Sequence, residues 1–336
     1  MPPRRLCNEE LSQIIDTSDE WIQSHTGILS RHIAGEETAA SDLAAEAAIN
    51  ALAMLSGTES SAPESSGIQS SEALSLDMIV LATATADYYG TPSTACLVQE
   101  KIGAKNAAAM DINAGCTGFI YALETAAGLL SVSANRKRAL VIGAEIMSKF
   151  TDWSDRRTCV LLGDGAGAVL LEKTEAPAEG TAKRGLVRTL LGADGSGAEH
   201  LIFRRGGSRE PFREGETIIK PAHLDMNGEA VYFFAVQAIT ETINAILEQE
   251  GITMDDVNII IPHQANARII RTAAKNLKIP EEKFYLNIAE YANTSAASIP
   301  IALDELNRNK KLKRGDLILT IGFGGGLTYG ANLIIW

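Results

Sequence analysis

The chain has 336 residues, enough for one large domain or two fused halves, and either arrangement can bury a sizeable core. With 46% hydrophobic and 21% charged residues it reads as an ordinary folded protein. Its formal net charge of -12 repels phosphate backbones and anionic membrane surfaces, which argues against nucleic acid as a partner.

The chain opens with Met-Pro-Pro-Arg-Arg-Leu-Cys-Asn-Glu-Glu, which has positive charge but no apolar run behind it, so no secretory signal is expected. Apolar stretches such as residues 78–84 and 139–144 fall short of the roughly 20 residues that cross a bilayer. The expected address is the cytoplasm, with no membrane span. Cys7, Cys96, Cys116 and Cys159 lie far apart without a C-x-x-C pair, which argues against a zinc site or a disulfide framework and leaves room for one catalytic thiol.

Along the chain, i, i+3, i+4 apolar spacing predicts a helix over 41–55. A Ser/Gly/Pro/Glu-rich tract at about 56–75 reads as a surface insertion. Continuous β-branched runs then mark strands covered on both faces. Asp77-Met-Ile-Val-Leu-Ala recurs as Asp256-Val-Asn-Ile-Ile-Ile, the segment at Cys116 as that at Ser295, and Ala139-Leu-Val-Ile-Gly as Ile318-Leu-Thr-Ile-Gly, all at an offset of 179 positions. A fourth pair, Gly167-Ala-Val-Leu-Leu and Gly330-Ala-Asn-Leu-Ile, is offset by 163, which places an insertion at about 144–165 of the first half. The helix over 41–55 is matched by one over 231–247. Each half therefore reads as helix, strand, helix, strand, helix, strand, strand, and two such halves stack as a layered α/β unit with pseudo-twofold symmetry. The polar, glycine-rich stretch 192–215 is either a linker or a pocket lid.

Cys116 lies where an apolar strand ends in small residues and an Ala/Leu helix begins. A helix N-terminus lowers a thiol pKa and offers free N–H groups to an oxyanion, as a nucleophile requires; a buried structural cysteine is the alternative. His263 and Asn293 each end a predicted strand on the corresponding edge of the second half, so the repeat brings all three to one cleft beyond the strand ends. Gly324-Gly-Gly supplies either a second oxyanion amide or simply a tight turn. Gly163-Asp-Gly-Ala-Gly-Ala-Val leads into a strand and not a helix, so it fails as a dinucleotide loop. Arg268, Arg271, Lys275 and Lys278 share one helix face, which is either a solvated surface or a docking site for an acidic carrier.

Taken together, Asp16-Thr-Ser-Asp-Glu-Trp-Ile, Thr26-Gly-Ile, Asn113-Ala-Gly-Cys-Thr-Gly-Phe, Gly163-Asp-Gly-Ala-Gly-Ala, His263-Gln-Ala-Asn, Asn293-Thr-Ser-Ala-Ala-Ser and Phe323-Gly-Gly-Gly resemble the β-ketoacyl-acyl-carrier-protein synthase III family of the thiolase superfamily, nearly end to end. The resemblance implies a thiolase-like α/β fold of two βαβαβαββ halves, residues 1–175 and 185–336, layered as αβαβα. It implies that Cys116 takes an acyl group from acyl-CoA and that His263 and Asn293 hold the enolate made by decarboxylating malonyl-acyl carrier protein. Backbone amides of Cys116 and Gly325 would hold the tetrahedral oxyanion, and Phe323 would shape the decarboxylation site. Trp21, Arg156, Gly228 and Asn266 match CoA contacts; Arg268, with Arg271 and Lys275 beside it, matches the carrier-docking position; Thr91 matches a position that reaches the partner subunit's acyl pocket in a homodimer. No metal or redox cofactor is implied, since acyl-CoA and malonyl-acyl carrier protein are substrates.

The chain departs from the family pattern at His25, where an arginine near the CoA phosphates is common, and at Phe233, where a lysine often supports carrier docking. Typical members also carry a further strand ahead of the segment matching residues 3–10, so an edge strand is expected to be missing. The rival readings are a related acyltransferase or condensing enzyme of secondary metabolism and a non-catalytic CoA-binding homologue. A non-decarboxylating thiolase is disfavoured because Phe323-Gly-Gly-Gly contains no second thiol.

Overall fold

The structure, a computed structural model, describes residues 1–55, 71–174, 184–215 and 223–336. Most of the insertion expected at 56–75 and the boundary expected between 175 and 185 lie outside the described residues. The last residues of that tract, Ser71–Leu74, form a helical turn instead of a loop.

A two-stranded ribbon, β1 (Arg4–Cys7) and β2 (Ser30–Ile33), precedes the main sheets and brackets helix α1 (Asp19–Thr26). Ser18 caps α1 by accepting from the Trp21 N–H, and Gly27 ends it at φ 81°, where a Cβ would lie 2.7 Å from that of Ala267. Helix α2 (Ala40–Ala53) follows, then β3 (Met78–Ala82), α3 (Thr94–Lys101), β4 (Ala108–Ile112), α4 (Gly118–Ser131), β5 (Arg138–Ile146) and β6 (Asp164–Glu172). These strands form a sheet ordered β4-β3-β5-β6, with β3 parallel to β4 and β5 and with β6 antiparallel.

The second half contains β7 (Gly185–Ala193), β8 (Leu201–Phe203), β9 (Leu224–Met226), α5 (Gly228–Glu250), β10 (Ile259–Pro262), α6 (Ala267–Leu277), α7 (Ser298–Arg308), β11 (Leu317–Gly324) and β12 (Thr328–Ile335). Its sheet runs β10-β11-β12-β7, and β10-β11-β12 repeats the parallel-then-antiparallel pairing of β3-β5-β6. The expected repeat is therefore present in the pairing itself. Helices α4 and α7 pack between the two sheets, burying Phe119, Ile120, Leu123, Ile299, Leu303 and Leu306 against Val80, Val141, Ile261 and Ile318. Helices α2 and α3 cover the outer face of the first sheet, and α5 and α6 that of the second, which completes the αβαβα layering.

The repeat breaks at three places. The strand expected before Asn293 does not form: Phe284 makes a single bridge with Ile260, and the Gln264 amide takes up the Tyr285 carbonyl and the Asn287 N–H that a ladder would have used. The residues before Asn293 form instead a helical turn, Ile288–Tyr291. Conversely β7 flanks β12, while the outer side of β6 has no partner strand among the described residues. The insertion of the first half is shorter than expected, because β5 runs on to Ile146 and β6 begins at Asp164.

Helix α5 is long and apolar enough to cross a bilayer by length and composition, contrary to the sequence-based expectation. In the fold its apolar stripe, including Ile239, Ile243 and Ile246, is buried beside Leu319 and Leu333 of the second sheet, as a core helix would be.

Candidate active site

Cys116 follows Gly115 at the turn into α4. The turn is fixed by crowding. Gly115 has φ 52°, and a Cβ there would lie 2.8 Å from the Gly325 carbonyl oxygen, while one on Gly324 would lie 2.7 Å from the Cys116 Cβ. The Gly324-Gly325-Gly326 loop thus packs directly on the thiol residue. Burial pushes the thiol up to about 11, against the Ser295 and Gly325 hydrogen bonds that pull it down. The lowering expected from the helix terminus does not prevail, because desolvation of the thiolate by burial outweighs it.

His263 leaves β10 with its backbone N–H on the Ile321 carbonyl and is 1% exposed. Burial pushes its imidazole down to about 3, so it is neutral at physiological pH. Its Nδ1 lies 2.8 Å from Ser298 Oγ at the start of α7, and its ring meets that of Phe323 edge-on at 5.2 Å. Asn293 is held by main-chain bonds to Leu161 and Gly163 of the first half, and its Oδ1 accepts the Ser295 N–H at 2.9 Å. That commits the oxygen and leaves the amide N–H groups of Asn293, a residue that lines the cleft, as its donors.

One cleft of about 1050 Å³, part of it open to solvent, is lined by Cys116, His263, Asn293 and Phe323 at its base and by Trp21, Arg156, Gly228 and Asn266 farther out. At the mouth the Arg156 guanidinium lies 4.5 Å over the Trp21 ring, and the His25 ring stacks on that indole at 4.3 Å. Asn266 caps α6 by accepting from Arg268 N and donates to the His25 carbonyl, which ties the second half to α1. The walls are apolar: Met147, Leu161 and Leu162 come from the first-half insertion, and Leu201, Leu224 and Met226 from the β8–β9 hairpin.

Other expected residues lie elsewhere. Gly325 packs against Gly115 next to the thiol residue and is not among the residues that line the cleft. Arg268, Arg271 and Lys275 are exposed on α6 outside the cleft, Arg271 paired with Glu281 at 2.9 Å. Phe233 is 65% exposed on the neighbouring α5. Thr91 is exposed on the loop between β3 and α3 and does not line this cleft. The stretch 192–215 is neither plain linker nor free lid: it holds the end of β7, a 3-10 turn and β8.

Sequence reasoning overlooked Ser295, Ser298 and Glu145, which join these groups to each other. Glu145 carried a signal, as the one charged residue inside the apolar run 139–146. The hairpin wall carried none, because its strands have three residues each.

Comparison with known proteins finds a matching family. Residues 110–195 match the family described as 3-oxoacyl-[acyl-carrier-protein] synthase III, and 247–336 match the C-terminal part of the same family. The chain is 44% identical to the β-ketoacyl-[acyl-carrier-protein] synthase III of Clostridium acetobutylicum over all of this chain and 96% of that protein. It is 46% identical to the Syntrophomonas wolfei enzyme of the same name over all of this chain and 95% of that one. The crystal structure of 3-oxoacyl-[acyl-carrier-protein] synthase III from Aquifex aeolicus superposes with a TM-score of 0.85 at 42% identity, covering all of this chain and 97% of that one.

Proposed function

The chain belongs to the 3-oxoacyl-[acyl-carrier-protein] synthase III family, and on that premise we propose that it condenses an acyl-CoA primer with malonyl-acyl carrier protein, releasing CoA and CO2 and starting fatty acid synthesis. The observation that carries the reading is the convergence of Cys116, His263 and Asn293 at the base of one apolar cleft whose mouth is a layered Arg156–Trp21–His25 stack.

The Cys116 sulfur attacks the acyl carbon of the primer, and the thiol proton leaves with CoA as its free thiol. Covalent capture divides one condensation into two easier steps. Malonyl-carrier then enters, and loss of CO2 leaves an enolate oxygen beside Asn293 Nδ2 and His263 Nε2. The donor role of His263 requires the proton on Nε2, so the Ser298 hydroxyl, which donates to the Ser295 carbonyl at 2.9 Å, must turn to donate to Nδ1 at 2.8 Å. Phe323, packed on the imidazole, keeps water from the leaving carboxylate. The enolate carbon attacks the thioester, the tetrahedral oxyanion rests on the Cys116 and Gly325 amides, and its collapse frees the thiol and the 3-oxoacyl product. This chemistry calls for no metal or redox cofactor.

Trp21 and Arg156 suit an adenine nucleotide, since the ring and guanidinium offer flat faces and a positive charge. Asn266 and Gly228 suit the pantetheine arm. On α6, Arg268 and Lys275 enter no ion pair among the described residues, which suits an acidic carrier despite the net charge. The reading includes a cytoplasmic homodimer. The outer side of β4 has no partner strand among the described residues, and Tyr88 and Tyr89 are exposed on the loop that carries Thr91, so a second copy added along β4 would bring that loop to its partner's acyl pocket.

Intact mass decides the central claim. Wild type incubated with acetyl-CoA should gain an acetyl group that Cys116→Ala does not, and malonyl-acyl carrier protein should discharge it as 3-oxoacyl carrier protein. An adduct that malonyl-carrier leaves in place, but that another acceptor removes, would favour the secondary-metabolic acyltransferase. No adduct with any acyl-CoA would favour a non-catalytic homologue.

A further inference from the structure

We infer that Glu145 is a positioning residue of this site, a buried carboxylate on β5 that holds the Ser295 hydroxyl away from the Cys116 sulfur and keeps a negative charge near it. The inference rests on the reading of Cys116 as the acyl acceptor.

Glu145 is fully buried, and its two oxygens gather five donors. From the first half come Thr85 Oγ1 at 2.6 Å, Thr83 Oγ1 at 3.3 Å and Ala84 N at 3.1 Å; from the second come Ser295 Oγ at 2.9 Å and Ala296 N at 3.4 Å. Thr85 Oγ1 accepts from Ile146 N, so its own proton is committed to the carboxylate. No Lys or Arg is among these partners. Burial raises the carboxyl pKa, and the hydrogen bonds oppose it. The Ala84 and Ala296 N–H groups, which can only donate, favour the anion against that burial. Gly143, two residues earlier, packs on the Ala296 carbonyl so closely that a Cβ there would collide with it. Glu145 therefore closes a seam between the halves at the turn that carries Asn293 and Ser295.

That turn is strained, with Ala292 at φ 56° and Ser295 at φ 48°, and neither is glycine. Glu145 supplies the bonds that hold it. Cys116, His263 and Ser295 line one cleft, where the Ser295 side chain lowers the thiol pKa and its backbone raises that of the imidazole, each against a larger effect of burial. Ser295 has one hydroxyl proton and two claimants. While Cys116 is a thiol, its S–H can point to Ser295 Oγ and the Ser295 proton to Glu145. When Cys116 ionises, the hydroxyl must turn from Glu145 to the sulfur. Competition for that proton and like-charge repulsion both oppose the thiolate.

The test is the rate of Cys116 alkylation by iodoacetamide from pH 7 to 10, read by peptide mass, with melting temperature and condensation rate measured on the same samples. Glu145→Gln should alkylate about tenfold faster at pH 8, the equivalent of a one-unit fall in thiol pKa, while its condensation rate falls at least tenfold as the Asn293 turn loosens. Glu145→Asp, which keeps the charge, should alkylate close to the wild-type rate. Ser295→Ala should alkylate at least threefold more slowly, the opposite direction, because the thiolate loses its donor. A folded Glu145→Gln with wild-type alkylation overturns the inference, even if condensation is impaired. If Glu145→Gln does not fold, Ser295→Ala decides alone, and an unchanged rate overturns the inference. Alkylation needs no substrate, so failure of wild type to form an acetyl adduct would sink the functional reading separately.

Discussion

The side-chain oxygen of Asn293 accepts the backbone N–H of Ser295 at 2.9 Å, and this bond commits the oxygen and leaves the NH2 group as the donor in a residue that lines the pocket. Asn293→Asp keeps the accepting oxygen but replaces the donor with an anion beside a forming enolate. Condensation should fall by about a hundredfold or more, as when one oxyanion donor is removed, while acetylation of Cys116 stays within a few-fold of wild type. Equal losses in both half-reactions would remove Asn293 from the decarboxylation step.

Ser298 decides which imidazole nitrogen of His263 carries the proton, because its Oγ is 2.8 Å from Nδ1 and 2.9 Å from the Ser295 carbonyl. Ser298→Ala should slow malonyl decarboxylation about tenfold, the worth of one hydrogen bond of roughly 1.4 kcal/mol. Decarboxylation of malonyl-carrier without primer measures this directly, and an unchanged rate would show that the tautomer is set elsewhere.

The Gly324 Cα faces the Cys116 Cβ with no room for a methyl group. Gly324→Ala should displace the glycine loop, cost about 1–3 kcal/mol in stability, and cut acetylation at least tenfold by moving the Gly325 amide. Stability and burst amplitude, measured together, separate the two effects.

Arg268 is exposed and unpaired among the described residues, on the α6 face that the reading assigns to the carrier. Arg268→Glu should raise the KM for malonyl-acyl carrier protein about tenfold or more and flatten its salt dependence, leaving acetylation by acetyl-CoA unchanged. A KM that does not move would place the carrier on another face.

Stability should depend on pH through two of the buried groups. The His263 pKa is depressed from 6.5 to about 3, so its contribution is complete above 6.5 and is lost as pH falls toward 3. The Cys116 pKa is raised from 9.0 to about 11, so its contribution is complete below 9 and is lost as pH rises toward 11. Compared with wild type, His263→Gln should flatten the acid limb of melting temperature against pH, and Cys116→Ser the alkaline limb. Parallel wild-type and variant curves would contradict these assignments.

Much of this protein was legible in one dimension. Buried strands announce themselves as continuous β-branched runs, and because the chain repeats them, the sequence places Cys116 and His263 at the same edge of their halves, beyond the ends of β4 and β10. Glycine spacing around Cys116 and in the 324–326 loop was equally telling, since only a close backbone approach demands residues without a Cβ. What the chain alone did not decide is set by contacts between the halves. The strand expected at Asn293 is undone by the Gln264 side chain, the thiol is raised instead of lowered because the assembled pocket desolvates it, and the Glu145–Ser295 link spans 150 positions. Local pattern reports which face of an element is apolar; which polar atoms meet across a buried seam, and what that does to their protons, follows only from packing the two halves together.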